Sequence, residues 1–329
     1  MNAIIFNEIG SPQHVLKLAQ VSLPDLSDND VLVRMVTASI NPGDFLFIQN
    51  LYPEPKKPVF PNQIAGNHGA GVIERTGKNV SLPVGTFVGF SYYNTWAEYA
   101  VVPQEWLIPL PAKYPLDKAS QLVNIVSAWD LLRKAQVKPG DWLALTAGNS
   151  TLSIMTAQFA KALGVHVISV VRQKESRYDL LSLGATAVIE ISKLQRNLTD
   201  VVRDITANRG IHGLIDHVGG PITGQLIQTM AFNGRVIING VMSEEPYSIH
   251  NMDVLMRGLE ISSYVYRFFF DPPQPKDRED LPEMIRVSES ASFHIPTGGF
   301  YPLKDYAKAV SETLLHPSLG KRIFKMSDL

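Results

Sequence analysis

Asp141-Trp142-Leu143-Ala144-Leu145-Thr146-Ala147-Gly148-Asn149-Ser150 opens the stretch that decides the fold, and Val165-His166-Val167-Ile168-Ser169-Val170-Val171-Arg172 closes it. Trp142 to Thr146 is a short apolar run following the break Lys138-Pro139-Gly140-Asp141. Ala147 to Ser150 supplies turn residues and a helix start, and Ile154, Ala157, Phe159, Ala160 and Leu163 repeat at helical spacing. Val165 to Val171 is a second buried strand. Strand, turn, helix and strand in that order make a βαβ unit of the dinucleotide-binding kind, in which amides at a helix N-terminus face a pyrophosphate. Gly148, Asn149, Ser150 and Thr151 are therefore the candidate phosphate contacts. The second strand ends on Arg172, with Lys174 and Arg177 behind it, where an NAD site wants a carboxylate for the ribose 2′-hydroxyl. A cation there suits a 2′-phosphate, so NADPH is the expected cofactor.

The glycine fingerprint of such units is incomplete. Only Gly148 survives, and Thr151 and Ser153 stand where glycine would let backbone and phosphate approach closely. A non-catalytic nucleotide-binding or structural α/β protein stays open on that ground.

Working outward, 329 residues suit two domains, and 45% hydrophobic with 19% charged residues describes an ordinary globular chain. A net charge of -1 gives no electrostatic pull toward nucleic acid or an anionic membrane. No apolar run approaches the ~18 residues that cross a bilayer. The chain opens directly into the strand Ala3-Ile4-Ile5-Phe6, so a cytoplasmic enzyme is the simplest expectation. With no cysteine, disulfides, thiolate zinc sites and a cysteine nucleophile are excluded. None of the eight histidines pairs with another at helical spacing, so no metal site is expected.

Residues 1 to about 115 are β-rich, with strands such as Val31 to Val36 between Gly and Pro turns. From about 119 strands and helices alternate. The expected strands are Ala187–Ile191, Gly213–Val218, Arg235–Gly240 and Leu259–Tyr264, and the expected helices Glu175–Leu183, Leu194–Ala207 and Ile222–Ala231. Such alternation means a mostly parallel sheet covered on both faces. A polar, proline-rich loop runs from Asp271 to Asp280, before a last helix from Leu303 to Leu315 and a final strand through Phe324.

Several segments in order resemble the medium-chain dehydrogenase/reductase superfamily. Gly66-Asn67-His68-Gly69-Ala70-Gly71-Val72 looks like its Gly-His-Glu-x-x-Gly-x-Val segment; Trp96-Ala97-Glu98-Tyr99, Val137-Lys138-Pro139-Gly140-Asp141 and the closing Gly320-Lys321 are typical of it. The resemblance implies an α/β protein with a β-rich, GroES-like substrate domain, 1–118 with 291–329. A Rossmann-type cofactor domain, 119–290, with a doubly wound parallel sheet, is inserted in it. Asn41 and Asn67 stand where the zinc alcohol dehydrogenases carry cysteine and histidine ligands, and the four-cysteine lobe is missing. Zinc-free members of this kind reduce quinones or activated C=C bonds. Within the superfamily, Ile40-Asn41-Pro42-Gly43-Asp44-Phe45 and Ile48-Gln49-Asn50-Leu51-Tyr52-Pro53 are similar to the Ile-Asn-Pro-Ser-Asp…Ile-Gln-Gly-x-Tyr-Pro segment of mitochondrial-type 2-enoyl thioester reductases. That resemblance carries Tyr52 onto a proton donor, Asn124 onto a nicotinamide contact and Arg172 onto the 2′-phosphate contact. Tyr264-Val265-Tyr266 departs from it, since the enoyl reductases tend to carry Phe-Trp there. It also implies a homodimer formed by pairing sheet edges.

These residues suit NADPH-dependent conjugate reduction, most simply of a 2-enoyl thioester. Hydride goes to the β-carbon, and Tyr52, protonated at neutral pH, protonates the α-carbon. The plainer reading of Tyr52 is a loop aromatic packed beside Pro53. An NADPH:quinone reductase, needing no acid, is the alternative. Asn41 and Asn67 are candidate substrate contacts, although asparagine beside Gly or Pro commonly serves a turn. His68 reads as a packing residue. Asn124 is a buried amide that either meets the cofactor or caps a loop. Gly240 and Met242, like Gly219-Gly220, end strands at the carboxyl edge where α/β sheets bind ligands. Phe268, in Arg267-Phe268-Phe269-Phe270, is a candidate pocket wall or interface residue. Lys56 and Lys57 are expected to be solvated.

Overall fold

The computed structural model describes residues 1–53, 56–174 and 177–329. The chain forms two compact units, Met1–Ile125 with Arg267–Leu329, and Val126–Tyr266. These divisions differ from 118/119 and 290/291 because residues 267–290 are tied to the first unit. The Tyr114 hydroxyl meets Ser288 Oγ at 2.5 Å, Lys118 Nζ donates to the Ser290 carbonyl at 2.7 Å, and Arg278 donates to that of Glu105 at 3.2 Å.

Strands in chain order are β1 Asn2–Phe6, β2 Lys17–Gln20, β3 Asp30–Ser39, β4 Gln63–Ile64, β5 His68–Thr76, β6 Phe87–Ser91, β7 Tyr99–Pro103 and β8 Ile108–Pro109. They continue as β9 Trp142–Leu145, β10 His166–Val171, β11 Ala187–Glu190, β12 Ile211–Asp216, β13 Met230–Ile238, β14 Glu260–Ser263, β15 Thr297–Tyr301 and β16 Lys321–Lys325.

In the first unit, among the described residues, one sheet runs β15-β16-β3-β5-β6-β8 with β7 also on β3, and a smaller one runs β2-β1-β4. The pairing of β16 with β3 is antiparallel, Ile323 opposite Ser39, so the end of the chain completes a sheet begun near its start. Ile4, Phe6, Ile40, Phe47, Trp96 and Phe324 form the apolar core that holds the helix Pro42–Ile48 in place.

In the second unit the order is β11-β10-β9-β12-β13-β14, parallel throughout. Ala144, Ile168, Leu214 and Val236 from four of these strands are buried together with Leu226 and Ile227 of the helix Gly220–Ile227. This is the doubly wound arrangement, and among the described residues β14 is an open edge. Of the expected helix Glu175–Leu183, 175 and 176 lie outside the described residues, and 177–183 is irregular turn. Asp179 there accepts from Leu181 N–H through its side chain and from Ser182 Oγ through its carbonyl, local bonds that compete with a helix. The next helix is Leu198–Ile205 rather than Leu194–Ala207. A 3₁₀ turn occupies Ile191–Lys193, and Ala207 and Asn208 take positive φ at the far end. The helix expected at Ile222–Ala231 is Gly220–Ile227, because β13 already begins at Met230.

Candidate functional site

Each unit carries a polar constellation. In the first, the helix Pro42–Ile48 starts where proline's fixed φ and missing N–H cost nothing, and Asp44 at its third position bonds back to the chain before it. Asp44 is fully buried. Its Oδ2 accepts from Asn41 N–H at 2.7 Å, and its Oδ1 accepts from Asn67 N–H at 2.9 Å and Asn67 Nδ2 at 3.1 Å. Desolvation raises its pKa to about 6 against the pull of those donors and of Lys321. One carboxylate thereby joins the helix start to the segment entering β5.

Asn41 and Asn67 are both buried and both engaged. Asn41 Nδ2 donates to Ser39 Oγ at 2.9 Å, and its Oδ1 accepts from Asn124 Nδ2 at 3.0 Å. The Asn124 amide nitrogen is thus held by Asn41. Asn67 keeps one buried atom, Oδ1, without a hydrogen-bond partner. His68, next along, is lowered to about pKa 3 by desolvation and by the charges of Lys56 and Lys321, so it stays neutral.

Tyr52 is half-buried. Its ring packs edge-on against Phe269, centroids 4.8 Å apart, and its hydroxyl lies over Gly43 so closely that a Cβ there would collide with it. The resembling enoyl reductase segment carries serine at that position. Desolvation, with the Asp44 charge second, pushes the phenol pKa well above its ordinary value. Phe268, by contrast, is 2% exposed and packs inward. Arg267 grips both oxygens of Asp280 at 3.0 Å and so fixes the turn that brings Phe269, rather than Phe268, to Tyr52.

Lys56 corrects its expectation of solvation. It is 5% exposed, with its Nζ 4.7 Å from the Phe269 ring centroid and 5.4 Å from that of Tyr93. Residues 44, 56, 68, 269 and 321 are scattered along the chain, so no local sequence signal announces the cluster.

In the second unit, Ala147 follows β9 at φ 49°, the left-handed region rare for a residue with a side chain, and turns the chain into the helix Thr151–Ala162. Ser150 caps that helix by accepting from Ser153 N–H at 3.1 Å. Thr151 and Ser153 are buried, and Ser153 Oγ donates to the Thr146 carbonyl at 3.1 Å, so the serine hydroxyl is turned into the fold. Gly148 is required where it stands, because a Cβ would fall 2.8 Å from Ser169 Cβ. Asn149 Nδ2 donates to the Gln173 carbonyl at 2.7 Å, while its buried Oδ1 has no partner. Arg172 is exposed just past β10 and forms no ion pair among the described residues. An open helix start, an orphaned amide oxygen and an uncommitted guanidinium fit a phosphorylated dinucleotide.

Sequence reasoning missed a second part of this edge. Asp216, ending β12, accepts from Thr146 Oγ1 at 2.7 Å and from the N–H groups of Val218 and Gly219. His217 N–H donates to Thr146 Oγ1 at 2.7 Å, and its ring Nδ1 meets Asn239 Nδ2 at 2.9 Å. Desolvation lowers the His217 pKa to about 4, and its buried Nε2 has no hydrogen-bond partner. The position of Asp-His before Gly-Gly at a strand end was the available signal. Gly240 lies against the His217 carbonyl, too close for any side chain, whereas Met242 is 72% exposed. Among the described residues no group of three or more His, Cys, Asp or Glu is placed to hold a metal ion. No helix among them is long and apolar enough to cross a membrane.

Two family models match in order, an alcohol dehydrogenase GroES-like domain over residues 27–112 and a zinc-binding dehydrogenase domain over 151–290. Among curated relatives, an enoyl-[acyl-carrier-protein] reductase, mitochondrial, of Xenopus tropicalis is 27% identical, covering 94% of this chain and 91% of its own. The Homo sapiens protein of that name is 28% identical over 99% of this chain and 89% of its own. A Bacillus thuringiensis structure named as an NADPH:quinone reductase superposes with a TM-score of 0.86 at 26% identity, covering 99% of both chains. The mitochondrial 2-enoyl thioester reductase heterodimer of Candida tropicalis shares the fold, with a TM-score of 0.85 at 22% identity over 98% of this chain and 99% of that one. With asparagines at the positions of the zinc ligands, the chain belongs to the zinc-free medium-chain dehydrogenase/reductases.

Proposed function

We propose that this protein is an NADPH-dependent reductase of activated C=C bonds, with 2-enoyl thioesters as its substrates and Tyr52 as the proton donor. In this reading the unit Met1–Ile125 with Arg267–Leu329 handles the substrate and Val126–Tyr266 the cofactor. The observation that carries it is the seating of Tyr52: a half-buried phenol, held against Phe269 and over Gly43, whose environment keeps it protonated through the neutral range. A raised phenol pKa still permits transfer to the α-carbon of an enolate, which is a far stronger base. Asn41 and Asn67, joined through Asp44, would line the substrate site, and Asn124, which donates to Asn41, would meet the nicotinamide end of the cofactor.

NADPH, when bound, supplies the hydride. Asn149, Ser150 and the first-turn N–H groups at Thr151 would hold its pyrophosphate, with Gly148 admitting the close turn, and Arg172 its 2′-phosphate. Gly240 and Met242 belong to the loop after β13, whose N–H groups are held by the Asp216 and Val218 carbonyls.

The quinone reductase reading keeps one observation in its favour. Tyr52, Tyr93 and Phe269 make an aromatic corner suited to a flat acceptor. Crotonyl thioester and quinone turnover with wild type and Tyr52→Phe separates the two: a fall of ~10²–10⁴ in thioester reduction supports the acid, and a small effect removes it. Failure to bind either nicotinamide cofactor would bring forward the non-catalytic reading. A homodimer paired through the open β14 edge belongs to the same proposal, with sedimentation as its test. So does a cytoplasmic location, against relatives named as mitochondrial, which cell fractionation decides.

A further inference from the structure

We propose that Lys56 is a second substrate-contacting residue, whose ammonium binds the carbonyl oxygen on which negative charge gathers as a conjugated double bond is reduced. The proposal rests on the reductase reading and adds the group that handles the oxygen.

Lys56 is almost wholly buried, yet among the described residues its ammonium makes no hydrogen bond or ion pair and is faced by the rings of Phe269 and Tyr93. Ring faces return only part of the hydration that an ammonium gives up on burial. Accordingly its pKa falls to about 8, desolvation first, with attraction to Asp44 opposing. The other titratable groups around it do not supply a free anion. His68 is held neutral, Lys321 is a second cation lowered to about 8, and Tyr52 and Tyr93 both stay uncharged as desolvation raises them. Asp44 has both oxygens engaged by Asn41 and Asn67. A lysine that merely filled space here would be replaced without loss by methionine; one with three donors and no oxygen acceptor is prepared for an oxygen that arrives with the ligand.

Tyr52 and Lys56 share a ring. Tyr52 packs edge-on to Phe269 at 4.8 Å, and the Lys56 ammonium stands 4.7 Å from the same centroid. A proton donor and a cation are thus set on one aromatic support, matching the two needs of conjugate reduction. NADPH, when bound, would supply the hydride that makes the C–H bond at the β-carbon, ending as NADP⁺. The π pair of the C=C bond moves into the carbonyl, giving an enolate whose oxygen Lys56 binds. Its α-carbon then takes the Tyr52 proton, the carbonyl re-forms, and water returns a proton to the phenolate. Lys56 keeps its own proton throughout.

The test uses the full-length protein, as wild type, Lys56→Met and Lys56→Arg. Steady-state reduction of a crotonyl thioester is followed on both sides of pH about 8. Wild-type kcat/KM is expected to fall as pH rises through that value; Lys56→Met should lose the limb and ~10²–10³ in rate, mostly in kcat, and Lys56→Arg should recover part. NADPH affinity should not move. A Lys56→Met enzyme within about twofold of wild type, with the same alkaline limb, overturns the proposal. A second readout needs no turnover: an acetoacetyl thioester, whose enolate absorbs in the near ultraviolet, is bound to each variant. Wild type is expected to favour the enolate and Lys56→Met to lose that preference. Equal spectra overturn the role of Lys56 whatever the turnover. Enolate binding by wild type with no reduction of thioester or quinone would instead overturn the reductase reading and support the Lys56 contact.

Discussion

Replacing Gly43 by alanine puts a methyl group well inside contact distance of the Tyr52 hydroxyl oxygen. The backbone beneath cannot yield, since Asp44, one residue on, is bonded to both Asn41 and Asn67. The phenol must therefore withdraw until it regains an ordinary contact of 3.4 Å or more, a retreat of roughly 1 Å. A displacement of that size at a reacting group costs roughly 10²-fold in rate, or about 2.7 kcal/mol of transition-state stabilisation. It cannot exceed the whole worth of a positioned acid, ~10²–10⁴. Helix stability works the other way, because glycine to alanine in a helix gains roughly 0.5–1 kcal/mol. The assay is kcat and KM for crotonyl thioester in wild type, Gly43→Ala, Tyr52→Phe and the double variant, with NADPH affinity and thermal midpoint as controls. If the methyl acts through the phenol, Gly43→Ala should lower kcat in the wild-type background and add almost nothing to Tyr52→Phe. Equal falls in both backgrounds, or no fall in either, would refute the reasoning.

Further outcomes are expected. Arg172→Ala should weaken NADPH binding by roughly 10- to 100-fold and leave NADH almost untouched, as measured by fluorescence titration; equal weakening of both would remove the 2′-phosphate contact. Asp44 has a folded pKa raised to about 6 from 3.8, so the folded chain holds the extra proton between those values and loses stability as pH rises through them. Urea unfolding of wild type against Asp44→Asn should show the difference between them shift by about 3 kcal/mol over that window, and a constant difference would contradict it. Thr146→Val deprives buried Asp216 and the His217 N–H of a partner at 2.7 Å each, and should cost about 3 kcal/mol in unfolding free energy. A loss below about 1 kcal/mol would show that the edge re-bonds through its other donors.

The fold was legible where the signal is local. The run Asp141 to Arg172 carries its own period, turn and cap, and it folds as β9, helix and β10. The expected helix fails over 177–183 because apolar spacing does not register the side chains of Asp179 and Ser182 bonding to nearby backbone. One fingerprint substitution, Ser153, looks obstructive only because the sequence does not say that it turns its hydroxyl to the Thr146 carbonyl. Lys56 was misjudged for a different reason. Its burial depends on Phe269, which reaches it through the Arg267–Asp280 clamp from the far end of the chain. The residue choice within Phe268-Phe269-Phe270 was equally out of reach, since it turns on which way one ion pair rotates a loop.

The pairing of β16 with β3 bears on how the chain is made. The second unit, 126–266, leaves the ribosome before β15 and β16 exist, so its parallel sheet can close while the first unit still lacks two strands. Until then one flank of β3 has no partner at Thr37 to Ser39, and Lys321 is missing from the neighbourhood of Asp44. Synthesis therefore leaves the proposed proton-donating part of the protein until last. A chain stopped short of residue 321 should display a protected second unit and a protease-sensitive, sticky first one.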